Sequence, residues 1–328
     1  MNKQKRFTLS AGVFVFVAAM LAIVQVKVQS ISPILLERFL PGIGGWIEIP
    51  FIAFYGAVVM WYMQDPAKVA LWRRNTWLVF SFVFFSQFVL GLLGYDIFMM
   101  TGKLHLPVPA IILAGPLYRY QLSFMTILFL STIVLSGPAW CSHLCYFGAL
   151  DNYMASKSKP GRKPIKNKWA VKYSIMLLVV TITLLLRWLH VPWTWAAVLG
   201  AMFGVIGLFI MLFISRRQGK MVHCITYCPI GTIVSYLKYI NPFRMYIDDQ
   251  CDLCMRCTTH CPYDALNTKN IKSKKPGLTC TLCGDCVTSC HTGSIKYKFF
   301  GMKPAAARNL YLFITISLHA IFMALARM

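Results

Sequence analysis

Eight cysteines between Cys251 and Cys290 carry the plainest chemistry in this chain. They fall in two runs, CDLCMRCTTHCP and CTLCGDCVTSCH, each with the spacing C-x2-C-x2-C-x3-C. Thiolates at that spacing wrap cubane iron–sulfur clusters: three from one run grip three corners, and the fourth comes from the distal cysteine of the other run. The expected ligand sets are therefore Cys251, Cys254, Cys257 and Cys290 for one [4Fe-4S] cluster, and Cys280, Cys283, Cys286 and Cys261 for the second. Zinc knuckles are the competing reading, but zinc closes on four ligands of its own rather than on two interlocked groups. Covalent haem attachment needs C-x-x-C-H, and CVTSCH has one residue too many. Pro262 follows the first run, whereas His291 stands at the matching place in the second, which changes a turn and not a ligand.

The remaining four cysteines form two C-x3-C pairs, Cys141/Cys145 and Cys224/Cys228. At the end of a helix, residues i and i+4 share one face, so each pair presents two sulfurs together. The surrounding sequence repeats: CSHLCYFGALDNY aligns without a gap to CITYCPIGTIVSY, and LHLP at 104–107 matches LHVP at 189–192. Each unit reads as a span, an outer His-x-Pro turn, a second span and an inner C-x3-C. An even number of spans per unit makes the repeats parallel, with a pseudo-two-fold axis along the membrane normal. Such an axis can bring the two pairs together as a third iron–sulfur centre; a reversible dithiol site or plain packing are the alternatives. His143 and His223 beside these cysteines read as interfacial residues, with metal ligation as the alternative. His105 and His190 sit in the outer turns, where they can ligate a b-type haem, hydrogen-bond a quinone headgroup, or cap the turns before Pro107 and Pro192. His319, alone in a span, reads as packing.

The elements that must position these residues are membrane helices. The chain is 58% hydrophobic and 13% charged, and its long apolar runs fit about seven spans. These cover Thr8–Val28, Ile43–Met63, Thr76–Tyr95, Gln121–Trp140, Val171–Leu189, Trp195–Ser215 and Leu310–Ala326. Residues 96–120 are apolar but broken by prolines, and read as a re-entrant or surface segment. The net charge of +23 lies in short loops rather than in a nucleic-acid-binding face. With the N-terminus inside, the inner segments hold Lys3, Lys5, Arg6, Lys68, Arg73, Arg74, Lys157, Lys159, Arg162, Lys163, Lys166 and Lys168. The outer loops hold Arg38, Lys103 and Arg119. That asymmetry predicts a multi-pass protein of a bacterial-type inner membrane, with the N-terminus and every cysteine-bearing segment cytoplasmic. A reducing compartment favours metal ligands over disulfides.

These motifs together resemble the NapH/NosR/CcoG group of membrane polyferredoxins, over roughly residues 75–300. The chain departs from that pattern at Tyr146, which stands where the first C-x3-C motif would continue with proline; Pro229 keeps the second. It also lacks the flavin-binding outer domain of the NosR kind and adds a seventh span. The resemblance implies electron transfer linked to membrane quinol, with another redox protein or complex subunit as partner.

The expected architecture is an α-helical integral membrane bundle with an internal parallel repeat and an α+β two-cluster ferredoxin module. Its regions are a two-span segment at 1–74, the repeated units at 75–240, the module at 241–300 and a last helix at 301–328. The expected function is electron transfer between quinone or quinol and the partner, as a subunit of a quinol-linked oxidoreductase. The alternatives are an assembly factor that reduces a metal or disulfide for another membrane enzyme, and a redox-silent anchor. No glycine-rich nucleotide motif or nucleophile–base set supports an independent hydrolase or NAD enzyme.

Overall fold

The computed structural model describes residues 3–28, 32–99, 106–158 and 164–325. Among these, seven helices are long and apolar enough to cross a membrane: Lys3–Lys27, Gly44–Met63, Val69–Leu92, Phe124–Leu144, Lys168–Trp188, Trp193–Gln218 and Pro304–Ala324. This is a multi-pass membrane architecture. Several spans begin further into their charged flanks than hydropathy suggests, because the charges have partners in the bundle. Arg73 is 1% exposed inside the third span. Arg308 donates to the carbonyls of Met63 (2.8 Å) and Gln64 (2.9 Å), tying the seventh span to the end of the second. The same boundaries put Lys27 and Arg187 in the last turns of the first and fifth spans, on the side expected to be poor in cations.

The third span shows why these residues form a packed helix. Arg73, Trp77, Phe80, Phe84, Gln87 and Gly91 recur at helical spacing and are buried. Leu71, Val79, Phe82 and Val89 point outward and are exposed. In lipid there is little hydrophobic drive between helices, so close packing and hydrogen bonds must hold them. Gly56 supplies one such approach: a Cβ there would lie 3.2 Å from Val13 and 3.3 Å from Ala320, side chains of the first and seventh spans.

Two passages are broken. The fourth runs as Phe124–Ser136, turns at Gly137 (φ +64°), passes through a wide helical turn at Trp140–Leu144 and resumes as Tyr146–Ser156. The sixth runs on to Gln218 and turns at Gly219 (φ +65°). A second wide turn at His223–Tyr227 then leads into Pro229–Leu237. In both wide turns the closing bond spans five residues, Cys145 N–H to Trp140 O (2.9 Å) and Cys228 N–H to His223 O (2.8 Å). The segment read as re-entrant contains a short helix, Ile111–Arg119, with Pro116 inside it.

The module before the last span is built on one two-stranded antiparallel sheet, Arg244–Ile247 with Ile295–Lys298, in the register Met245↔Tyr297 and Ile247↔Ile295. The two cysteine runs lie between the strands, each ending in a short helix, Arg256–His260 or Asp285–Ser289. Tyr311 of the seventh span packs on Phe243 (5.3 Å between rings) and Tyr297 (5.2 Å), so the module sits directly on the membrane bundle.

Candidate metal centres

The two runs of the module share an unusual backbone. Leu253 (φ +58°) and Met255 (φ +60°) flank Cys254; Leu282 (φ +57°) and Gly284 (φ +85°) flank Cys283. Left-handed conformations cost a residue with a side chain about 1–3 kcal/mol and persist where the site uses them. Alternation of left- and right-handed residues turns successive backbone N–H groups into one concavity, an anion nest of the kind found at iron–sulfur sites. The thiols gather around these nests. Cys257 lies within electrostatic reach of Cys290 and Cys251 and, more weakly, of Cys261; Cys286 lies within reach of Cys283, Cys261 and Cys280. Burial pushes the Cys257 thiol up to about 11, with Cys290 and Cys251 adding to it, and pushes Cys283 and Cys286 well up. Bare thiols here would stay protonated, and a metal centre would displace those protons.

The donor set fits a body wider than one ion. Among the described residues, three ligand atoms come within 4.8 Å of one another at Asp151–His223–Cys224 and at Asp252–Cys254–His291, and at no trio of thiols. A single tetrahedral zinc would hold its thiolates about 3.8 Å apart.

Four buried cations grip the cysteine loops from the membrane side. Arg73 makes a bidentate pair with Asp285 (2.8 and 2.7 Å), beside Cys286, and donates to Ser142 O (3.1 Å). Lys220 donates to Thr258 O and Cys261 O, both at 3.0 Å. Lys238 donates to Leu278 O (2.6 Å) and Cys280 O (3.2 Å). Lys172 donates to Ile225 O (3.3 Å), Gly231 O (3.1 Å) and Ser235 Oγ (3.1 Å), bracketing Cys228. Their sequence trace is faint. Lys172 is a cation inside an apolar run, a known mark of function, but Arg73 and Lys220 look like ordinary topology charges.

Cys141, Cys145, Cys224 and Cys228 converge: every pair among these thiols is close enough to interact electrostatically. Cys141 and Cys145 lie at the end of the fourth span, Phe124–Leu144, and Cys224 and Cys228 follow the end of the sixth at Gln218. Tyr146, next to Cys145, stacks on Phe84 (5.2 Å) and its carbonyl accepts from Ser81 Oγ (2.9 Å). Phe84 lies 15 residues beyond Val69, about 22 Å along the helix. The chain continues past the first pair as Tyr146–Ser156, packed along the third span, so those two thiols are buried where the fourth span gives way to that helix. Tyr146 fills the proline position with a ring stacked in this core. Two hydrogen bonds join this group to the module: Tyr263 O–H donates to Cys141 O, and Ser142 Oγ donates to Thr281 O (3.1 Å).

The histidines sort differently from one another. His105 lies outside the described residues. His190 is exposed, with φ +52°, and its Nδ1 meets Trp188 O at 2.9 Å, the geometry of a turn cap. His143 and His223 are buried rather than interfacial, at 5% and 3% exposure. His319 does more than pack: Nδ1 meets His143 O (2.8 Å) and Nε2 meets Tyr55 Oη (2.9 Å).

Comparison with known proteins bears on these centres. A family described as a 4Fe-4S binding domain matches residues 121–166 and 198–242, the two segments that hold the C-x3-C pairs. The match indicates 4Fe-4S cluster binding; the runs from Cys251 to Cys290 lie outside it. The chain is 24% identical over 51% of its length to the uncharacterized protein MJ0749 of Methanocaldococcus jannaschii, covering 66% of that protein. It is 22% identical to MJ0750 of the same organism, over 71% of this chain and 97% of the relative. It is 23% identical over 68% of its length, and 65% of the relative's, to YccM of Escherichia coli, whose name provisionally assigns it to electron transport. The chain thus spans just under two thirds of MJ0749 and YccM. The 4Fe-4S family match and the distant similarity to YccM point to the iron–sulfur electron-transport kind of protein. No solved structure matches significantly.

Proposed function

We propose that this protein carries electrons between the membrane quinone pool and a second redox protein, through three iron–sulfur centres arranged in series. The ligand sets are Cys141, Cys145, Cys224 and Cys228 inside the bundle; Cys280, Cys283, Cys286 and Cys261 next to it; and Cys251, Cys254, Cys257 and Cys290 outermost. The centres supply one-electron exchange, and the chain holds them, sets their electrostatic surroundings and excludes water. The observation that carries the reading is the pair of hydrogen bonds, Tyr263 to Cys141 O and Ser142 to Thr281 O, which join the group of thiols in the bundle to the module.

The matching wide turns before Cys145 and Cys228 support a parallel two-fold repeat as the source of the inner site. They fit the NapH/NosR/CcoG kind of protein, with the module on the cytoplasmic side of a bacterial-type inner membrane. YccM's provisional link to electron transport agrees with this reading.

Iron counting and quinol reduction test it. Fully loaded protein is expected to hold roughly ten or twelve irons, and the Cys145→Ser/Cys228→Ser variant about eight. A short-chain quinol should reduce the wild type and fail on that variant, while dithionite still bleaches the module. About eight irons in the wild type removes the inner centre. Loaded protein that quinol never reduces removes the quinone role.

A further inference from the structure

A cleft of ≈ 400 Å³ opens between the membrane bundle and the module. On the bundle side it is lined by Ala70, Leu71 and Arg74 of the third span. On the module side it is lined by Arg256, His260, Pro262, Asp285 and Ser289. Those module residues include the chain neighbours of four cysteines: Arg256 precedes Cys257, Pro262 follows Cys261, Asp285 precedes Cys286 and Ser289 precedes Cys290. One cleft thus reaches within a residue of both cysteine groups of the module.

Its charge is unbalanced. Asp285, the carboxylate in the lining, is taken by Arg73. Arg74 and Arg256 make no ion pair among the described residues. Elsewhere on the module Asp248 pairs with Lys296 and Asp249 with Lys274, whereas the exposed Lys269, Lys272, Lys275 and Lys298 make no ion pair among the described residues. A diffusing anion therefore meets an attractive field over the module, and Arg74 and Arg256 set part of that field in the cleft beside both cysteine groups.

We propose that this cleft is the docking site for a soluble electron carrier with an acidic face, whose carboxylates pair with Arg74 and Arg256. Each productive encounter moves one electron: one lost by the reduced carrier is one gained by the module, or the reverse. The proposal rests on the electron-transfer reading above and names the partner's chemistry and place. Protein carriers are favoured over lipid headgroups because the cleft adjoins both cysteine groups, where a lipid would insulate them.

The test uses the full-length holoprotein, in neutral nanodiscs, with an acidic flavodoxin as probe. Arg74 is half-buried and Arg256 exposed, so Arg74→Glu and Arg256→Glu leave the core intact; iron content checks this. The double variant should bind flavodoxin and accept its electrons at least about tenfold more slowly at low salt, with a flatter salt dependence. Reduction by dithionite should match the wild type. Wild-type binding and rate in the double variant overturn the docking site. A defect that appears only with anionic lipid present also overturns it, and makes the cleft a headgroup site. Loss of dithionite bleaching in the wild type would instead remove the redox reading, while the binding isotherm still decides the cleft.

Discussion

The two cysteine runs of the module have the same spacing and the same left-handed backbone pattern, yet they live in opposite surroundings. The run from Cys280 to Cys286 is pressed against the bundle. Leu282 is 5% exposed, its carbonyl accepts from Tyr297 Oη (2.8 Å), and Arg73 and Lys238 hold the loop from the membrane side. The run from Cys251 to Cys257 faces solvent. Its matching residue Leu253 is 45% exposed, and its nearest charged pair is Asp252 with His291, both surface side chains. Local geometry is written by spacing, while the electrostatic environment comes from residues far away in sequence. Equal motifs therefore need not make equal centres.

The comparison is easiest to break at Arg73. Asp285 is 14% exposed, so Arg73→Met strands a mostly buried carboxylate and removes a donor from Ser142 O. Breaking a buried pair from one side costs roughly 3–5 kcal/mol. Limited proteolysis should show the module loosened from the bundle, with iron lost first from the inner run. Asp252→Asn, which removes a surface carboxylate from the outer run, should leave proteolysis unchanged. Equal sensitivity in the two variants would mean that the inner loop is not held by this clamp.

A second contrast uses the ligands. Cys283→Ser should destabilise the whole module, because Cys283 is buried in the core that includes Tyr297 and Tyr311. Cys254→Ser should cost one cluster, about four irons, and leave the rest folded, since that thiol is exposed. If both variants lose the same spectral features, the two groups are not separate centres.

Much of this was legible in the sequence, and the limits have physical causes. The spans follow from apolar runs, and the thiol groups from spacing that fixes which sulfurs a short loop can bring together. Span ends were misplaced where a cation was stabilised by a distant carbonyl or carboxylate, as at Arg73 and Arg308. Nothing local distinguishes such a residue from one that faces water. The wide turn that carries Cys141 and Cys145 was also hidden, because such a turn leaves no hydropathy break. The four-residue spacing showed that the sulfurs share a face, but the helix Tyr146–Ser156 that continues past them decides how far inside they lie. His319 read as packing because its partners, Tyr55 and the carbonyl of His143, come from other spans.

Charge should separate the reduction potentials of the two centres proposed in the module. Lys238 is 8% exposed and donates to Cys280 O at 3.2 Å. Removing a unit charge roughly 8 Å from a redox centre, at an effective dielectric of about 20, disfavours adding an electron by ~2 kcal/mol. Lys238→Gln should therefore lower the potential of the inner module centre and leave the outer one nearly where it was. A redox titration followed by electron paramagnetic resonance reads both. If both potentials fall together, the cation acts through the shape of the module and not through its charge.

The smallest effect should come from the outer surface. Lys274 pairs with Asp249 there, with side chains 55% and 88% exposed. An exposed pair gains little Coulomb energy in water and must hold two side chains in one arrangement, so it contributes about 0–1 kcal/mol and less in salt. Asp249→Asn should change thermal stability by no more than that, and should shift the outer centre's potential far less than Lys238→Gln shifts the inner one. The two substitutions each change the charge by one unit, so solvent screening is the intended difference between them. Repeating the Asp249→Asn titration at low and high salt isolates it: a small shift at low salt should fade as salt rises. A shift as large as that of Lys238→Gln, and insensitive to salt, would show that the outer run is shielded from water in solution. The contrast between the two runs would then have to be redrawn around structure rather than exposure.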